Sequence, residues 1–88
     1  MAKIETTKTR YIIDEDYIFP KQSTLIKKWD KGVHSKHNTS VYFIYEIHFI
    51  CSGDSLVMRF KDKTFRDKIF KQIILEYDVI IFDNKYCC

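Results

Sequence analysis

The run from Ser40 to Cys51 limits the fold more than any other stretch of the chain. Val41, Phe43, Tyr45, Ile47, Phe49 and Cys51 recur at alternate positions, and Tyr42, Ile44, Glu46, His48 and Ile50 fill the positions between them. Side chains alternate across a strand, so the first set makes a continuously apolar face and the second a face of mixed polarity. A long strand, covered on one side and partly on the other, carries such a pattern. Ser52-Gly53-Asp54 reads as a turn. Leu56, Met58 and Phe60 then form the inward face of a returning strand, with Arg59 and Lys61 outward. An antiparallel hairpin is the expected centre of the fold.

A helix follows. Thr64 is the expected N-cap, with Asp67 in the capping-box position. Phe65, Ile69, Phe70, Ile73, Ile74 and Tyr77 form an apolar stripe, and Arg66, Asp67, Lys68, Lys71 and Glu76 fall largely off it. Val79-Ile80-Ile81-Phe82 reads as a last buried strand. Towards the N-terminus, Arg10–Ile13 and Tyr17–Phe19 read as strands around a polar turn, Asp14-Glu15-Asp16, and Pro20 ends the pattern. Residues 22–29 suit either a short helix capped by Ser23 or Thr24 or, slightly better, a strand. Asp30 to Ser40, nearly without apolar residues, reads as a loop. The expected architecture is α+β: one domain over residues 1–88, with a small antiparallel sheet of four to five strands and one amphipathic helix at about 64–77 packed on it near the C-terminus.

At 88 residues, a chain buries only about 60–65% of the surface exposed when unfolded, so its core must be dense. Aromatics at 16% supply that density. Cysteine usage argues against a secreted scaffold: Cys51, Cys87 and Cys88 are odd in number, and two are adjacent. Residues 1–10 hold no apolar leader core, and Glu46 and His48 interrupt the longest apolar run. The expected setting is the cytoplasm, without a membrane.

Each candidate for chemistry meets a structural objection. His34 and His37 with Cys87 and Cys88 lack the spacing of a zinc site. Asp14, Glu15 and Asp16 lack the glycine and further ligands of a calcium loop. Cys51 and His48 fall on opposite strand faces and cannot cooperate. The terminal Tyr86-Cys87-Cys88 resembles a prenylated GTPase tail, but no phosphate loop accompanies it. Asn38-Thr39-Ser40 fits a glycosylation acceptor, which matters only in a secreted protein. Glu46 and His48 share a face and form the one conceivable acid–base pair. No catalytic residue, metal or cofactor is expected, and the chain reads as non-enzymatic.

Two binding surfaces remain. The mixed face of Tyr42, Ile44, Glu46, His48 and Ile50 is too apolar to stay wet, which points to a protein partner or another copy of the chain. Tyr11, Tyr17, Tyr42, Tyr45, Tyr77 and Tyr86 add a residue type enriched at recognition surfaces. The net charge is +3, but residues 20–37 carry Lys21, Lys27, Lys28, Lys31 and Lys36 against Asp30 alone. With Trp29 among them, these lysines are the nucleic-acid alternative, although the default place for a sole tryptophan is the core. Small Lys- and Ile-rich chains of this type resemble accessory proteins of bacteriophages or mobile elements that inhibit a host or defence protein. The resemblance is one of type and rests on no motif.

Overall fold

The strands that sequence alternation predicts belong to two sheets rather than one. A computed structural model describes residues 2–34 and 41–83. In chain order the elements are β1 (Ala2–Thr6), β2 (Arg10–Ile13), β3 (Tyr17–Pro20), a 3-10 turn at Lys21–Ser23, β4 (Leu25–His34), β5 (Val41–Cys51), β6 (Asp54–Phe60), α1 (Lys63–Ile74) and β7 (Val79–Phe82). A four-stranded antiparallel sheet has the order β3-β2-β1-β7, and a three-stranded one the order β4-β5-β6. The α+β class with one helix near the C-terminus holds, and the strands divide between two sheets.

The core lies between the sheets and beneath the helix. Ile4, Tyr11, Ile13, Phe19, Ile80 and Phe82 point inward from the four-stranded sheet to meet Ile47, Phe49 and Phe60 of the other, with Ile69 and Ile73 from α1. Phe49 is the joint: its ring lies 5.9 Å from both Tyr11 and Phe19. Phe60 does the same at the other end, 5.6 Å from Phe82 and 6.0 Å from Phe65. Among the described residues, no helix is long and apolar enough to cross a membrane.

The β5–β6 hairpin forms as the alternation predicts. Cys51 pairs with Asp54, and the turn places Ser52 at φ 42° and Gly53 at φ 90°. Two consecutive left-handed residues twist the chain in the sense that two-residue hairpins require. A Cβ on Gly53 would meet nothing within 4 Å, so backbone conformation alone selects glycine there. The Asp14-Glu15-Asp16 turn also forms, with Asp14 and Glu15 at positive φ and the Asp14 carboxylate accepting from the Lys3 N–H at 2.8 Å.

Several expectations need correction. Residues 22–29 begin in the 3-10 turn and continue as strand, and β4 extends through Asp30 to His34 where a loop is expected. This stretch is largely exposed, so burial imposes no apolar alternation on it. Ala2–Thr6 is a strand paired on both sides, overlooked because Ala2 and Thr6 are weak markers of an inward face. Val79–Phe82 is buried only at Ile80 and Phe82.

The helix is shorter and rolled relative to the predicted stripe. Asp62, not Thr64, is the N-cap, its side chain accepting from the Thr64 N–H at 3.1 Å. The buried positions are Arg66, Ile69 and Ile73, whereas Ile74 and Tyr77 are exposed. Beyond the C-cap Leu75, Glu76 is left-handed at φ 58°. The Tyr77 and Glu76 N–H groups bond back to the Gln72 and Ile73 carbonyls at 3.1 and 3.0 Å, a Schellman ending that stops the helix before Tyr77.

The Thr6 hydroxyl is buried without a hydrogen-bond partner. Valine has nearly the same shape and nothing to desolvate, so Thr6→Val should raise unfolding stability by about 1 kcal/mol. Urea denaturation of the two proteins measures this directly, and a loss of stability would show that the hydroxyl is satisfied.

Candidate binding face on the three-stranded sheet

Register decides which side chains share a surface. β4 and β5 pair with Lys27 opposite His48, Trp29 opposite Glu46, Lys31 opposite Ile44 and Val33 opposite Tyr42. On the other side of β5, Glu46 faces Arg59 and His48 faces Val57. Residues opposite one another in an antiparallel ladder project to the same face. Tyr42, Ile44, Glu46, His48 and Ile50 therefore share one face with Lys27, Trp29, Lys31 and Arg59. The protein-binding candidates thus share their surface with Lys27, Trp29 and Lys31 of the nucleic-acid candidates.

The opposite face of this sheet is where everything packs. Lys28 Nζ lies over the Phe70 ring at 5.1 Å, and the Arg66 guanidinium lies 5.5 Å from the Tyr45 centroid. The core residues Ile47, Phe49 and Phe60 also project to that side. Among the described residues, helix and second sheet thus cover one side and leave the candidate face outward.

At the centre of the face sits a polar network. Glu46 is only 4% exposed. Its Oε1 lies 3.0 Å from His48 Nε2, and its Oε2 accepts from Arg59 Nε at 3.2 Å. The Glu46–His48 pair is thus real in geometry, and Arg59 is the partner that sequence reading missed. Its outward position next to the inward Phe60 is legible in the sequence, but its place opposite Glu46 depends on register. Trp29, directly opposite Glu46, is 59% exposed, and toward the two ends of the same face Tyr42 at 53% and Leu25 are also exposed. Trp29 is therefore not a core residue, because its parity on β4 directs it away from the helix.

The remaining lysines separate. Lys21 pairs with Glu76 at 2.6 Å and lies over the Tyr11 ring, away from the face. Lys28 points to the helix side and pairs with Asp67 at 3.7 Å. Lys36 lies outside the described residues, as do His37, Asn38, Thr39, Ser40, Tyr86, Cys87 and Cys88. His34 ends β4. Cys51 is a free thiol 3.6 Å from the Ser23 hydroxyl. Among the described residues, no group of three or more His, Cys, Asp or Glu is arranged to hold a metal.

Behind the face, one buried cation holds its two central residues. Arg66 is 2% exposed. Its Nη1 donates to the main-chain carbonyls of Trp29 at 2.9 Å and Glu46 at 3.3 Å. Its Nε donates to Asp67 at 2.7 Å and its Nη2 to Asp30 at 2.5 Å. Burial opposes the charged guanidinium, but the bonds to Asp30 and Asp67 outweigh it and raise its pKa. The Arg66 hydrogen bond holds the Asp30 carboxyl below its ordinary value, against desolvation and with help from the charges of Arg66 and Lys63. Lys63 approaches Asp30 at 3.5 Å, so the recess between β4 and α1 is lined with paired charges.

No family model matches this chain, and no curated protein or solved structure is significantly similar to it.

Proposed function

We propose that the protein is a non-enzymatic binding module that docks a protein partner on the outer face of the β4-β5-β6 sheet. The observation that carries this reading is the composition of that face. Trp29, directly opposite Glu46, and Tyr42, four residues from Glu46 along β5, are exposed on the same sheet face as the Glu46–Arg59–His48 network. Trp, Tyr and Arg are enriched at binding hot spots, which are desolvated centres ringed by near-neutral contacts that exclude water. Holding two large aromatic rings in water has no folding benefit, whereas a partner would recover their burial. The one acid–base pair of the face, Glu46 with His48, is tied up with Arg59 in an internal network, so the module acts by occupancy. Inhibition of a host or defence protein, in the manner of bacteriophage or mobile-element accessory proteins, is the corresponding cytoplasmic role.

The second reading, nucleic-acid binding, rests on Lys27, Trp29 and Lys31 alternating along β4 on the same face as Arg59. Lysines would meet phosphates and the indole would stack on a base. With three cations engaged, affinity should fall with salt at a log–log slope of about −2 to −3.

One comparison separates the readings. Wild type and a Trp29→Ala/Tyr42→Ala variant are immobilised and exposed to nuclease-treated host lysate. The expected result is a protein held by wild type, resistant to salt, and weakened by about thirty-fold or more in the variant, the effect of losing a hot spot. Binding that vanishes with nuclease and follows the salt slope favours nucleic acid. A partner retained equally by both proteins removes this face from either role.

A further inference from the structure

β5 is longer than its partner on the β6 side. β6 pairs only with Tyr45–Cys51, and after Phe60 the chain leaves for α1. Val41–Ile44 are paired with β4 on one side, and their other edge has no strand partner among the described residues. Alternate residues of an antiparallel strand aim both N–H and C=O at the same side, so this edge offers main-chain groups that no strand takes up among the described residues. Val41, Tyr42 and Phe43 beside it are about half exposed.

The other sheet edges carry features that block strand addition. β3 ends in Pro20, β4 carries Lys27, Lys28, Asp30 and Lys31, β6 carries Asp54 and Arg59, and β7 is bracketed by Asp78 and Asp83. Charges and proline are how edges discourage pairing. Val41–Ile44 has neither.

We propose that this edge pairs with the same edge of a second copy, antiparallel about a two-fold axis at Tyr42. Opposed residues must share a face, which restricts a symmetric register to one centred on a residue. Centring on Tyr42 uses Val41–Phe43, the part clear of Phe60. It sets Tyr42 against its own copy on the outer face and Val41 against Phe43 on the inner face. Aromatic–aromatic and aromatic–β-branched pairs are favourable across strands, and no like charges are opposed. The Phe43 ring packs over Gly32 of β4, 3.6 Å from where a Cβ would stand, and stacks on Tyr45 at 6.4 Å, so its position on the inner face is fixed from within the sheet. The uncharged Val41-Tyr42-Phe43 edge, which pairs favourably with itself in this register, makes a second copy the occupant. Pairing would join the two outer faces into one continuous surface, and it stands independently of what that surface binds.

The test is light scattering on the full chain across a concentration series in reducing agent. The expected mass rises toward twice the 10.7 kDa of the chain. Tyr42→Lys, which opposes two ammonium groups at the axis, should return it to the single-chain mass with an unchanged circular dichroism spectrum. With Cys51, Cys87 and Cys88 replaced by serine, Tyr42→Cys should cross-link into dimers on oxidation, a readout that decides the matter if Tyr42→Lys misfolds. A single-chain mass at every concentration, a dimer that persists in folded Tyr42→Lys, or failure of Tyr42→Cys to cross-link overturns the proposal.

Discussion

Phe49→Ala should cost about 4 kcal/mol of unfolding stability, enough to leave only about 1 kcal/mol, with roughly a sixth of the molecules unfolded at ambient temperature, if the total is near the low end of the usual 5–15 kcal/mol. Phe49 is fully buried, and removing its ring takes away both the transfer energy and the packing of its neighbours. Those neighbours, Tyr11 and Phe19, belong to the four-stranded sheet, while Phe49 belongs to the three-stranded one. The cavity would open at the seam between sheets, where collapse from either side is resisted by strand pairing. Phe49→Leu keeps most of the volume and should cost about 1–2 kcal/mol. Chemical denaturation monitored at the Trp29 fluorescence and by circular dichroism measures both. Near-equal costs for leucine and alanine would show that ring shape, not volume, joins the sheets.

The same residue illustrates what the sequence made legible. A strict period of two through β5 identified Phe49 and Ile47 as inward and placed Tyr42, Ile44, Glu46, His48 and Ile50 together, because parity within one strand is a local property. The convergence of Lys27, Trp29, Lys31 and Arg59 on that face was not legible, because it depends on Trp29 aligning with Glu46 and Glu46 with Arg59. Register is a tertiary fact. Asp30–His34 was obscured for a related reason: a largely exposed strand need not alternate. Arg66 was misplaced by the rule that charged residues leave the apolar stripe. Its three donor nitrogens all find acceptors in the fold, and nothing in the helix sequence announces those partners.

Arg66 is accordingly the second residue whose loss should be severe. Arg66→Ala should destabilise the protein by about 3 kcal/mol, because the Trp29 and Glu46 carbonyls lose their donor while Asp30 and Asp67, being partly exposed, recover water. Arg66→Lys should recover little, since an ammonium cannot span acceptors set out for a planar guanidinium. The effect also depends on pH. The Asp30 carboxyl has a lower pKa in the folded protein than when unfolded, so its contribution is complete above the ordinary carboxylate pKa of about 3.9 and is lost as pH falls through the lower folded value. The stability gap between wild type and Arg66→Ala should therefore be level from neutrality to about pH 5 and narrow below about pH 4. Asp30→Asn should flatten that pH dependence at a smaller cost, as Asp30 keeps access to water. Arg66 bonds the main chain of Trp29 and Glu46, the two residues whose side chains form the middle of the outer face. Its removal should loosen that face even where the fold survives, seen as faster amide exchange along residues 27–31 and 44–48 than in an equally destabilised core variant. Equal exchange in the two proteins would mean that Arg66 supports the fold as a whole and does not position the face.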